Sequence, residues 1–83
     1  MIKIDNVIKG EGYYTLMLMD GMETYGVIFT MVPDRPVTVE FLEYDKENPG
    51  NIICLIPEKY PERYQEVREK YLDILLEYFK TLE

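Results

Sequence analysis

The stretch YYTLMLMDGMETYGVIFTMV, Tyr13 to Val32, decides how this chain folds. Two apolar, aromatic-rich runs meet at Asp20-Gly21. Asp-Gly between two β-prone runs is a strong short-range hairpin signal, because both central turn positions then tolerate positive φ. A strand is therefore expected from Tyr13 to Met19, and a returning strand from Glu23 to Val32. Toward the N-terminus, Ile2 to Ile8 reads as another strand, set off by the flexible Gly10-Glu11-Gly12. Toward the C-terminus, Pro33-Asp34-Arg35-Pro36 breaks the ladder, since neither proline has an N–H to donate. Val37 to Tyr44 follows as a fourth strand, with Val37, Val39 and Phe41 on one face. After the polar loop Asp45 to Gly50, Asn51 to Ile56 is a short, apolar fifth strand.

Beyond Pro57 the period changes from two to three and four. Tyr60, Tyr64, Val67, Tyr71, Ile74, Leu75, Tyr78 and Leu82 fall on one helical face. Pro61 suits a first turn, where a missing N–H costs nothing, so a helix is expected over Pro61 to Leu82. The expected object is one α+β domain: a five-stranded antiparallel meander or small barrel followed by one long C-terminal helix.

Its apolar surface exceeds what one helix on one sheet needs. Leu72, Leu76 and Phe79 widen the helical stripe to about 200°. The second strand is apolar on both sides, with Tyr14, Leu16 and Leu18 alternating against Tyr13, Met17 and Met19. Either a concave sheet wraps the helix, or Leu72, Leu76 and Phe79 form an interface between copies of the chain. Homo-oligomerisation is the expectation we carry forward.

Composition excludes several chemistries. The 83 residues hold 47% hydrophobic and 30% charged side chains, the proportions of a globular protein rather than a disordered one. There is no His, Ser, Trp or Ala. A Ser-His-Asp triad, a Cys-His dyad and an imidazole metal site are therefore absent. Sixteen acids against nine bases give a net charge of −7, which disfavours a nucleic-acid surface. Cys54 is the single cysteine, and its neighbours Ile53 and Leu55 suggest a buried, inert thiol. No signal-peptide pattern opens the chain and no apolar run approaches the ~20 residues that span a bilayer, so a cytoplasmic protein is expected. Abundant Glu, Lys, Ile and Tyr, with a single Gln and no Ala, point to a thermophile or its virus.

Leu18, Asp20, Gly21, Gly26 and Ile28 fall at the spacing apolar-x-Asp-Gly, four residues, Gly-x-apolar. In this segment the chain resembles the first conserved hairpin of the Sm and Sm-like proteins. The resemblance implies a strongly bent barrel strand at Gly26, ring assembly and RNA binding. It does not extend to the RNA-contacting elements. The loop that carries an Asp and a base-binding Asn in that family is here Val32-Pro33-Asp34-Arg35-Pro36. The later basic-Gly pair is replaced by Leu55-Ile56-Pro57-Glu58-Lys59.

Asp45-x-Glu47-Asn48-x-Gly50 has the start of a calcium loop, but Pro49 and Ile56 stand where ligands are needed, so a solvated turn is expected. Glu62, Glu66, Glu69, Asp73 and Glu77 form an acidic stripe opposite the helical tyrosines, suited to a solvated face or to a basic partner. Tyr13, Tyr14, Met17, Met19, Met22 and Tyr25 cluster about the hairpin as an adaptable apolar patch for a protein partner. No paired acid and base stands out by spacing. The chain thus reads as a small acidic interaction protein that needs no cofactor and no metal. A ring-forming Sm-like protein is the alternative, and a small enzyme with a site between subunits is a more distant one.

Overall fold

A computed structural model describes all 83 residues. Five strands, β1 (Ile2–Gly10), β2 (Tyr13–Asp20), β3 (Glu23–Thr30), β4 (Thr38–Tyr44) and β5 (Ile52–Cys54), precede one helix, α1 (Pro61–Leu82). The strands pair antiparallel in chain order. The fold is α+β, and the sheet is an open meander, with β1 and β5 left as free edges, rather than a barrel.

The hairpin forms where Asp20-Gly21 announces it, but its turn lies one residue further along. Asp20 pairs with Glu23, so the two central turn residues are Gly21 and Met22. Only Gly21 has positive φ, at 63°. That is the type II′ arrangement, which requires Gly at the first central position and leaves Asp20 as the last strand residue. A second glycine, Gly26, serves packing. A Cβ there would sit 3.3 Å from the Cβ of Leu42 on β4, so glycine lets the two strands carry a large neighbour at that point.

Side chains alternate across the sheet, and one face carries the core. Tyr14, Leu16 and Leu18 of β2, Tyr25, Val27 and Phe29 of β3, and Val39 and Phe41 of β4 meet Val67, Tyr71 and Leu75 of α1, with Leu55 closing one side. Burying each large apolar side chain contributes about 1.5–3 kcal/mol, so this layer supplies most of the driving force. Phe79 joins it from the helix, 5.1 Å from the Phe29 ring and 6.1 Å from Tyr14 between centroids. Leu72 and Leu76 are half-buried against the same core. The wide apolar arc of α1 is thus absorbed by the chain's own sheet. Ile74, expected on the core stripe, is instead exposed, because it lies on the flank of the helix facing away from the strands.

Strand β1 contains a feature invisible to alternation. Its register against β2 slips between Asp5 and Ile8, where β1 holds one residue more than its partner. Asn6 takes the left-handed conformation, φ 52°, and its N–H is met by the Asp5 carboxylate at 2.8 Å. Such a bulge on an edge strand bends it away from further pairing. It also reverses facing: Ile2 and Ile4 pack on the core, whereas Ile8 is turned to the other side of the sheet.

Tyr60 precedes α1 without a side-chain cap, and Pro61 occupies the first turn as expected. The turn before it is closed by the Tyr60 N–H donating to the Ile56 carbonyl at 2.9 Å. No helix is long and apolar enough to cross a membrane.

Candidate docking surface

The helix covers one face of the sheet only. On the other face, the register aligns Tyr13, Thr15, Met17 and Met19 of β2 with Thr24, Gly26, Ile28 and Thr30 of β3. Beside them stand Leu42 and Tyr44 of β4, Ile52 and Cys54 of β5, and Ile8 of β1. Ile8 and Ile52 are each 61% exposed, and Tyr44 is 52% exposed. Met17, Met19, Ile28 and Leu42 are half-buried with no layer above them, and the Asn6 side-chain amide donates to the Met17 sulfur at 3.1 Å. The ring of Tyr13 lies across Gly10, in the space a Cβ would need there. Charge is sparse: Lys3 and Asp5 on β1, 4.0 Å apart, and Glu40 on β4 are the charged side chains of this face.

This geometry divides the expected hairpin patch. Tyr13, Met17 and Met19 stand together on the open face, and Met22 is fully exposed at the turn. Tyr14 and Tyr25 do not belong with them: both are buried under α1, because they occupy the alternate positions of β2 and β3. Cys54, expected to be buried, is exposed, because its pairing with Leu42 places it on the open face of a three-residue edge strand. Of the helical residues expected at an interface, Phe79 is engaged in the core. Leu72 and Leu76 line a shallow groove of about 250 Å³ between α1 and β4, with Val37, Val39, Tyr64 and Arg68.

The polar groups at the helix–sheet boundary are satisfied within the chain. The Tyr71 hydroxyl donates to Asp20 at 2.7 Å, and the Lys70 ammonium lies 3.7 Å from the same carboxylate. Tyr71's hydrogen bond, aided by Lys70, holds the Asp20 carboxyl below the usual range despite partial desolvation. Burial, and then the Asp20 carboxylate, pushes the Tyr71 phenol well above its ordinary value. Nearby, the Arg63 guanidinium donates to Glu43 at 3.0 Å, to Glu66 at 2.7 Å and to the Tyr25 hydroxyl at 2.9 Å. Burial raises the Tyr25 phenol, with Arg63 opposing. Burial works against the Arg63 charge, but its hydrogen bond to Glu43 and the surrounding charges of Glu43, Tyr25 and Glu66 together outweigh burial and raise its pKa. These contacts bolt the helix to the hairpin, and nothing in the spacing of the sequence pointed to them.

The acidic stripe is exposed on the solvent side of α1. Glu66 meets Arg63, Glu69 accepts from Gln65 at 2.8 Å, and Glu77 pairs with Lys80 at 3.1 Å, while Glu62 and Asp73 have no ion-pair partner. In the Asp45 loop the carboxylate accepts from the Glu47 and Asn48 backbone N–H groups and from the Asn48 side chain. Those bonds, Asn48's side chain foremost, lower the Asp45 pKa and make the loop a self-contained turn. No group of three His, Cys, Asp or Glu side chains converges as a metal site would require. Comparison with known protein families, with curated proteins and with solved structures gives no match for this chain.

Proposed function

We propose that this chain is a non-catalytic interaction protein whose uncovered sheet face docks on another protein. One observation carries this proposal. A five-stranded sheet has its helix on one side and, on the other, a continuous Met-, Ile- and Tyr-bearing face with no layer over it. Soluble proteins rarely leave such a patch unused. The methionines suit the role, since an unbranched thioether adapts to the shape of what it meets. On the far side, the acidic stripe is a separate surface, suited to a basic partner that binds independently of the sheet face. The exposed lone thiol of Cys54 fits a reducing compartment, and we place the protein in the cytoplasm.

The test is affinity capture with three forms of the chain, each checked for an unchanged circular dichroism spectrum. Loss of a bound partner with Met17→Lys, and its retention with the double charge reversal Glu66→Lys and Asp73→Lys, is the expected result. Loss only with the charge reversal transfers docking to the helix. Retention with both overturns the proposal.

A second reading, an Sm-like ring, rests on the spacing of Leu18, Asp20, Gly21, Gly26 and Ile28, although the open meander is not the closed barrel that this resemblance implies. A native mass of five to eight copies supports it.

A further inference from the structure

Resting on the docking proposal above, we infer that the occupant of the uncovered face is a second copy of this chain, packed sheet against sheet about a two-fold axis. Area is the first argument. Strands β1 to β4, about 4.8 Å apart and rising about 3.4 Å per residue, present a footprint of about 520 Å². A pair overlapping on these four strands then buries about 1,000 Å², the least that a specific protein–protein interface needs. The twin then covers Tyr13, Met17, Met19, Ile28 and Leu42, with Ile52 of β5 left at the rim.

Charge is the second argument. Each copy carries −7, so two copies repel wherever their acids meet. On the open sheet face the charges are few: Lys3 and Asp5 pair with each other, and Glu40 of β4 stands exposed as the one unpaired charge. The acidic stripe lies on the opposite side of the molecule, beyond the helix. In a sheet-to-sheet pair the two stripes are separated by at least two helix diameters, about 20 Å, well past the screening length of about 8 Å. This is the approach on which self-repulsion weighs least.

Shape is the third. Met17 and Gly26 are directly opposite each other on adjacent strands. Over Gly26 lies a dent of about 100 Å³, walled by Leu42, Tyr44 and Ile52. A two-fold axis running along the strands between β2 and β3 carries each copy's Met17 over the other copy's Gly26. One knob and one dent therefore serve twice, as an isologous contact demands. The β1 bulge belongs to the same design, because it delivers Ile8 to this face rather than to the core.

Sedimentation velocity across a concentration series, with dye binding alongside, tests the inference. Four proteins are compared: wild type, Ile28→Lys and Met17→Lys on the face, and Met22→Lys at the turn. The expected result is a wild-type mass of twice the 9.9 kDa chain. The face variants retain the wild-type circular dichroism spectrum and dissociate at least about 100-fold more readily, because each buries an unpaired ammonium. Met22→Lys leaves the pair intact. Two face variants guard against one of them failing to fold. A pair indifferent to both, or a mass of five or more copies, overturns the inference. A monomeric wild type overturns it too, and an apolar dye then separates the two proposals. Dye bound by wild type and lost in Ile28→Lys leaves the docking surface standing with another occupant. Failure of wild type to bind dye removes both.

Discussion

Tyr71 joins the two halves of this protein. Its ring is fully buried among the strands, 5.4 Å from Tyr25, while its hydroxyl reaches the last residue of β2, Asp20. The periodicity of α1 marks Tyr71 as core, and Asp20 is prominent as the partner of Gly21 in the hairpin signal. Their meeting is not legible, because a 51-residue separation leaves no trace in local spacing. Tyr71→Phe keeps the ring and deletes the hydrogen bond. We expect it to lower the thermal midpoint by about 4–8 °C, the equivalent of roughly 1 kcal/mol in a domain of this size. The pH dependence has a definite sign. Asp20's native pKa is depressed, so its contribution is fully present above the ordinary carboxylate value, about 3.9, and is lost as pH falls through the native value. Thermal midpoints at pH 7 and pH 3 should therefore differ less in Tyr71→Phe than in wild type. An equal fall in both proteins contradicts the assignment.

At the scale of elements, five strands, one helix and their order follow from alternation, from prolines at 33 and 36, and from the change of period after Pro57. What alternation could not supply is the break in its own rule. The bulge at Asn6 depends on two residues, Asn6 and Val7, standing opposite the single Leu16, and only the pairing of two strands defines an extra residue. For the same reason Tyr14 and Tyr25 read in sequence as neighbours of Tyr13 and the methionines, although strand parity sends them to the opposite face. The bulge is open to direct test. Asn6 sits at φ 52°, where a β-branched residue is strained and glycine is not. Asn6→Ile should cost about 1–2 kcal/mol, and Asn6→Gly only a few tenths, both measured by chemical denaturation. Equal costs would show that β1 straightens and that Ile8 is not held on the open face.

The whole molecule is a two-layer object with opposite characters on its two outer sides, acidic on the helix and apolar on the sheet. The acidic side lowers stability as it maintains solubility. Asp73 stands one turn from both Glu69 and Glu77, and neither repulsion is relieved by a direct ion pair at Asp73 itself. Asp73→Lys should raise stability by about 0.5–1 kcal/mol at low ionic strength and by much less in 1 M salt, measured by urea denaturation. The apolar side is where we locate function, and the chain carries its own reporters there. Met17 and Met19 lie on the open sheet face, while Met1 and Met22 are exposed elsewhere. The most direct measurement is the ¹³C-methyl spectrum of methionine-labelled protein followed through a dilution series. Concentration-dependent shifts confined to Met17 and Met19, with Met1 and Met22 unmoved, are what a sheet-face pair predicts. Signals that stay fixed throughout, or movement centred on Met22, would contradict it.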